Sequence, residues 1–227
     1  MSQAATAVGV DRYETPLTPE SWAKLGMWIF LAGDAMSFGA LLAVYGAMRY
    51  TAPNWPHPSD VLGIWFTAAM TFLLICSSVT MVKALSAVQD GDQKKMCRFL
   101  GLTIGGGVLF LLGQAYEWTH LIEEGLRLAS NDFVVNAAGH VVHGAHGGEL
   151  AAGQMHAAKL FGTTFFMTTG FHGCHVFAGV VYLTTVLLKG LRGGYSSENF
   201  NGVEVVGLYW HFVDLVWILV FTFVYLV

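Results

Sequence analysis

Charge is scarce in this sequence. Only 11% of its 227 residues are Asp, Glu, Lys or Arg, against about a quarter in an ordinary soluble domain. Cysteine is scarcer still. Cys76, Cys97 and Cys174 lie in or beside apolar runs with no paired spacing, which argues against a disulfide framework and a cysteine-based zinc site. No basic run occurs and the formal net charge is −4, so nothing points to nucleic acid as a partner. The N-terminus lacks the basic region and short apolar core of a cleaved signal peptide, so the first apolar span is expected to direct insertion itself. What the chain has in excess is apolar surface: 55% hydrophobic residues and a mean hydropathy of +0.56. A water-soluble core cannot hide that much, and the composition predicts an integral membrane protein.

Five apolar spans follow a polar tail at residues 1–23, which carries Pro16 and Pro19. They fall at 24–50, 61–88, 98–122, 159–190 and 204–227, each long enough to cross a bilayer. Backbone groups in hydrocarbon must be satisfied internally, so each span is expected to be a helix. The predicted fold is therefore all-α: one bundle of five transmembrane helices over residues 24–227, with no internal repeat. Orientation follows the Lys/Arg bias. Arg12, Lys24, Lys83, Lys94, Lys95, Arg98, Lys189 and Arg192 fall on one side; Arg49, Arg127 and Lys159 fall on the other. That places the N-terminus in the cytoplasm, and the C-terminus and the loop at 123–158 in the periplasm.

Ionisable residues inside such spans are costly and face protein or water rather than lipid. Asp34 lies ten residues after Lys24, about 15 Å along a helix and so near the bilayer midplane. It reads as a structural carboxylate bonded to a neighbour or as a proton carrier. The second span offers only small polar groups, Ser77, Ser78 and Thr80, suited to helix contacts. The third opens with Gly101 and Gly105 in small-xxx-small spacing, followed by Gly106, Gly107 and Gly113, a pattern that favours tight packing against another helix. It ends in GQAYEWTH, where Glu117 reads as an interfacial group with access to water. In the fourth, His172 and His175 are three apart and share a helix face. In the fifth, His211 and Asp214 have the same spacing. The histidines read as a satisfied packing cluster, a haem or metal site needing His211 on a facing helix, or a proton path. Asp34, His172 and Asp214 are expected at one depth, away from lipid.

The loop at 123–158 contains HVVHGAHGGELAAGQMH. Its His140, His143, His146 and His156 are weak candidates for a metal, because short H-x-x-H spacing can bring two imidazoles onto one ion. The surrounding Gly and Ala supply little frame, and a solvated loop is the plainer reading.

The segments FGTTFFMTTGFHGCH at 161–175 and WHFVDLVW at 210–217 resemble the last two helices of subunit III of the haem-copper terminal oxidases, the cytochrome c oxidase family. The resemblance extends over nearly all of 22–227 outside the His-rich loop. It implies a non-redox accessory subunit of a proton-pumping complex that reduces oxygen to water in aerobic electron transport, in a bacterial inner membrane. Haem and copper belong to subunit I, the main expected partner, and none to this chain. Subunit II and membrane lipids are further expected neighbours. By the same resemblance the subunit supports proton uptake and protects the core during turnover. The family carries a glutamate where this chain has Asp34, and a glutamine and glutamate where Gln114 and Glu117 stand, which implies internal polar packing for Glu117 instead. Its longer, seven-helix form holds phospholipid in a cleft made by its first two helices. This chain starts at what corresponds to the third, so that cleft is expected to be absent or completed by another subunit. Rival readings are the matching subunit of a quinol oxidase or nitric oxide reductase, a haem-binding membrane anchor, and a small transporter. The last prefers broken helices or repeated halves, which the sequence does not show.

Overall fold

A computed structural model describes residues 22–52, 55–123, 126, 134–135, 141–142 and 152–227. Five helices among these are long and apolar enough to cross a membrane. They are α1 (Trp22–Thr51), α3 (Ile64–Gln89), α4 (Gln93–Glu123), α5 (Ala152–Leu191) and α6 (Asn201–Val220), the last continuing as a π-helical turn over Phe221–Leu226. A one-turn helix α2 (Pro58–Val61) precedes α3, and β1 (Val134–Val135) pairs antiparallel with β2 (Val141–Val142). The fourth span differs from expectation at its start: α5 begins at Ala152, seven residues before the apolar run, so part of the expected loop is helical. His140, His143 and His146 lie outside the described residues, as does the side chain of His156.

The turn between α3 and α4 shows how local sequence sets topology. Gly91 adopts φ +77°, which costs glycine nothing. The N–H of Asp92 bonds the Ala87 carbonyl and that of Gly91 the Val88 carbonyl, the paired bonds of a glycine-terminated helix. Asp92 then opens α4 by accepting the Lys95 N–H at 3.0 Å. That bond, with the Lys95 ammonium 3.0 Å away, holds the Asp92 carboxyl below its ordinary range. So short a connection forces α3 and α4 into an antiparallel hairpin.

Glycine lets that hairpin close. A Cβ on Gly106 would stand 2.8 Å from Ser77 Cβ, and Gly113 sits directly against Met70. Nearer the turn, the Thr80 and Thr103 hydroxyls meet at 2.8 Å. Of the five glycines in the expected packing pattern, Gly101 and Gly105 stand apart: nothing lies within 4 Å of either Cβ position. The packing face expected of this glycine-rich span is carried by Gly106, Gly107 and Gly113.

The core is centred on α6, where Trp210 and Trp217 are fully buried. The Trp210 indole fills space left by two glycines from different helices. A Cβ on Gly107 of α4 would meet Trp210 Cη2 at 2.6 Å, and one on Gly179 of α5 would meet its ring at 3.0 Å. Its N–H donates to Ser77 of α3 at 3.1 Å. One side chain thus locks four helices.

Helix α1 is held differently. Its buried residues are Leu31, Asp34, Phe38 and Tyr45, a narrow stripe of three- and four-residue steps like that of a coiled-coil seam. The rest of the helix faces outward, with Trp28, Ile29, Met36 and Tyr50 exposed. Polar ties recur along the stripe: Lys24 to Glu204 at 2.6 Å, Asp34 to His175 at 3.1 Å, and the Tyr45 hydroxyl to the Val224 carbonyl at 3.4 Å. The π-helical turn assists the last of these, because the wider coil turns the adjacent residues Val224 and Tyr225 both inward.

Candidate functional site

The Lys24–Glu204 pair aligns the starts of α1 and α6. Asp34 is ten residues beyond Lys24 and Asp214 ten beyond Glu204, so both stand about 15 Å in. Asp34 meets His175 of α5, and His172 is one turn away. Asp34, His172 and Asp214 are all buried. The three share a depth and none lies on an outward face.

They do not form one cluster. The ionisable residues separate into distinct sites, each between a different set of helices. At the α1–α5 contact, His175 Nε2 lies 3.1 Å from Asp34 Oδ1 while its Nδ1 lies 2.8 Å from the Phe171 carbonyl. A carbonyl only accepts, so Nδ1 carries a hydrogen. The Nε2···Oδ1 contact then needs a second proton, carried by the imidazole as an ion pair or by the carboxyl as a neutral pair. Both ring nitrogens are engaged. Asp34 Oδ2 has no partner among the described residues.

His172 is enclosed instead by aromatic rings. Trp217 lies 4.8 Å away, Phe110 5.8 Å and Phe38 6.2 Å between centroids. Neither nitrogen has a partner among the described residues. Rings at these distances leave no room for a macrocycle beside the imidazole, so the arrangement does not fit a haem held between His172 and His211.

His211 is tied to α3 through Ser78. The Ser78 hydroxyl lies 2.6 Å from His211 Nδ1, while Asp214 Oδ1 has no partner among the described residues.

Glu117 is the most completely satisfied group. Its Oε1 accepts from the Thr67 hydroxyl at 2.7 Å, and its Oε2 accepts from Gln114 Nε2 at 3.1 Å and the Tyr225 hydroxyl at 3.0 Å. Three donors from α3, α4 and the π-helical turn converge on one buried carboxyl. A cavity of about 310 Å³, bordered by Asp60, Tyr116 and His120, opens beside it. Both expectations for Glu117 therefore hold part of the truth: it is packed internally and has a hollow next to it.

Of the hydroxyls on α3, Ser77 and Ser78 make the helix contacts expected of them, whereas Thr67 and Thr71 were missed from sequence. Thr67 bonds Glu117, Thr71 accepts from Trp217 Nε1 at 2.9 Å, Ser77 accepts from Trp210, and Ser78 contacts His211. A span that offered only small hydroxyls is the polar spine of the bundle. Periodicity was the available signal, since Thr67, Thr71 and Ser78 recur at helical spacing on the buried side. Among the described residues no three of His, Cys, Asp and Glu gather as a metal would need.

Comparison with known proteins agrees with this architecture. A family profile described as cytochrome c oxidase subunit III matches residues 149–227, the stretch carrying α5 and α6. Cytochrome c oxidase subunit 3 of Thermostichus vulcanus is 30% identical over 97% of this chain and 94% of its own length. Its counterpart in Bacillus sp. strain PS3 is 30% identical over 89% and 84%. That of Corynebacterium diphtheriae is 31% identical over 93% of this chain and 91% of its own. With the likeness running through all five spans, this chain belongs to the cytochrome c oxidase subunit III family.

Proposed function

We propose that the chain is the non-redox subunit III of a bacterial cytochrome c oxidase, seated against subunit I with its N-terminus in the cytoplasm. Its task is mechanical and electrostatic support: it keeps subunit I assembled and sustains proton uptake through repeated turnover. Oxygen reduction takes place on haem and copper in subunit I. The donor class, cytochrome c, follows the names its relatives carry. The observation that bears most on this reading is the Asp34–His175 contact at 3.1 Å. It joins the least embedded helix to the bundle at mid-depth, and no redox chemistry is needed to explain it. Asp34, Glu117, His172, His175, His211 and Asp214 are on this reading interior ties rather than catalytic groups.

Two substitutions divide the possible roles of the pair. Asp34→Asn retains a hydrogen bond, with the amide donating to a neutral His175 Nε2, but removes the titratable proton. Asp34→Ala removes both. The assay is affinity purification in mild detergent, with the co-purifying proteins identified by mass spectrometry, followed by oxygen consumption over many turnovers. Asp34→Ala is expected to lose subunit I or to inactivate several-fold faster. Asp34→Asn is expected to stay assembled, and the haem spectrum is unchanged in both. A drop in sustained turnover for an assembled Asp34→Asn complex would assign the pair to proton handling. Recovery without a haem-copper subunit, or loss of a haem band, would overturn the subunit III reading.

A further inference from the structure

His211 is an ionisable residue that the bundle leaves open. Asp34, Glu117, His172 and Asp214 are buried, and both nitrogens of His175 are engaged. The His211 ring is only half-buried. Its Nδ1 meets the Ser78 hydroxyl at 2.6 Å, while Nε2 has no hydrogen-bond partner among the described residues. The residue stands seven positions beyond Glu204, about 10.5 Å further along the helix and so within the hydrocarbon. Lipid tails offer an imidazole no hydrogen bond, and ionisable groups at such depth face protein or water.

The surface around it has the form of a seat for another helix. On α6, His211, Leu215 and Ile218 follow one another at steps of four and three. On α3, Ile75, Ser78 and Val82 do so at steps of three and four. The four aliphatic side chains are exposed, and the Ser78–His211 contact joins the two rows at their floor. Rows with these steps on adjacent helices form a groove into which a third helix packs its own side chains. A phospholipid cannot complete this groove, because its polar atoms stay at the headgroup level, about 10 Å from the imidazole. A helix can, provided that it brings a polar side chain to the level of His211. We propose that the α3–α6 face docks a transmembrane helix of subunit I, apolar except for one hydroxyl, carboxamide or carboxyl group that hydrogen-bonds His211 Nε2. This rests on the subunit III reading and adds to it the face and the bond that hold the partner.

The test uses the complex purified in mild detergent and has two arms. In the first, a benzophenone is attached through a thiol at Leu215→Cys or at Leu109→Cys, in a chain that carries Cys76→Ser, Cys97→Ser and Cys174→Ser. Leu109 is exposed on α4, a helix that contributes nothing to the groove. After illumination the probe at position 215 is expected on a subunit I peptide, and the probe at 109 on lipid or detergent. In the second arm the complex is washed with rising detergent and the retained subunit I is measured. His211→Leu should weaken retention about tenfold. His211→Gln, whose amide can make the same bond, should restore most of it. Ser78→Ala loses the contact within the chain but not the partner's, so it should retain subunit I better than His211→Leu. Leu215→Trp fills the groove without altering the imidazole and should lower retention as well. Equal retention by His211→Leu and the unaltered chain overturns the proposal. So does a probe at 215 that reaches only lipid or a second copy of this chain while subunit I co-purifies. Recovery of the unaltered chain with no haem-copper subunit overturns the subunit III reading itself, and the docking face with it.

Discussion

The seat of Trp210 makes a quantitative demand on Gly107. A methyl group there would lie 2.6 Å from Trp210 Cη2 and 2.7 Å from Val180 Cγ2, about 1 Å inside the optimum for carbon contacts. The ring cannot retreat. Even a Cβ on Gly179 would meet the ring at 3.0 Å, so the indole already packs against bare backbone there, and its N–H is fixed to Ser77 at 3.1 Å. Gly107→Ala should therefore cost near the top of the overpacking range, about 3 kcal/mol, despite alanine's better helix propensity. Trp210→Phe alone should cost a similar amount through the lost hydrogen bond and the void left behind. In the double variant the new methyl enters space the indole has vacated, while its clash with Val180 persists. The combined loss should then fall short of the sum by at least about 1 kcal/mol. Unfolding of the detergent-solubilised chain by increasing SDS fraction, followed by circular dichroism and tryptophan emission, supplies the three differences. Additivity to within about 0.5 kcal/mol would mean that Gly107 and Trp210 do not share this space, and the account of the core would fail.

Other expectations use the same unfolding assay. His172→Phe should be neutral or stabilising by up to about 1 kcal/mol, since an imidazole among rings with unpartnered nitrogens bears a desolvation cost that phenyl lacks; a large loss would reveal a polar partner beyond this chain. Glu117→Gln should destabilise by about 2 kcal/mol or more, because its amide brings hydrogens into a site already supplied with three donors. Tyr225→Phe, which removes just one of those donors, should cost less, about 1 kcal/mol. Ser78→Ala strips His211 Nδ1 of its partner at 2.6 Å, so it should cost more than Ser78→Thr by about 1 kcal/mol; equal stability would refute that contact.

Sequence reasoning reached the five spans and the depth of the ionisable residues because both depend on distances along one chain. Hydrophobic length reports a bilayer crossing, and a rise of about 1.5 Å per residue converts position into depth. Asp34 and Asp214 were placed at one level from this arithmetic alone, and the Lys24–Glu204 pair aligns them as counted. Azimuth is harder to read. His172 and His175 share a face by spacing, yet the difference between them, about 60° around the axis, turns one toward Trp217 and the other toward Asp34. In a span apolar on every side, nothing in the pattern says which neighbour lies at which angle. Gly101 and Gly105 stand apart from the packing face of α4 for the same reason.

The hydroxyls of α3 were the hardest to interpret, and their chemistry explains why. A serine or threonine in a helix can donate to the carbonyl three or four residues back, as Thr71 does to Thr67 and Ser77 to Leu74. That local bond makes such a residue cheap anywhere in a membrane helix, so its presence alone carries little information. It also leaves the oxygen free to accept. Trp217 and Trp210 use that remaining capacity, one on Thr71 and the other on Ser77. Each hydroxyl thus satisfies its own hydrogen locally and offers a lone pair to a buried indole. Placing two tryptophans in the centre of a membrane bundle requires two such acceptors at the right angle. Thr71 and Ser77 meet that requirement only when α3 is packed against α6, which is why they look inert in the isolated segment.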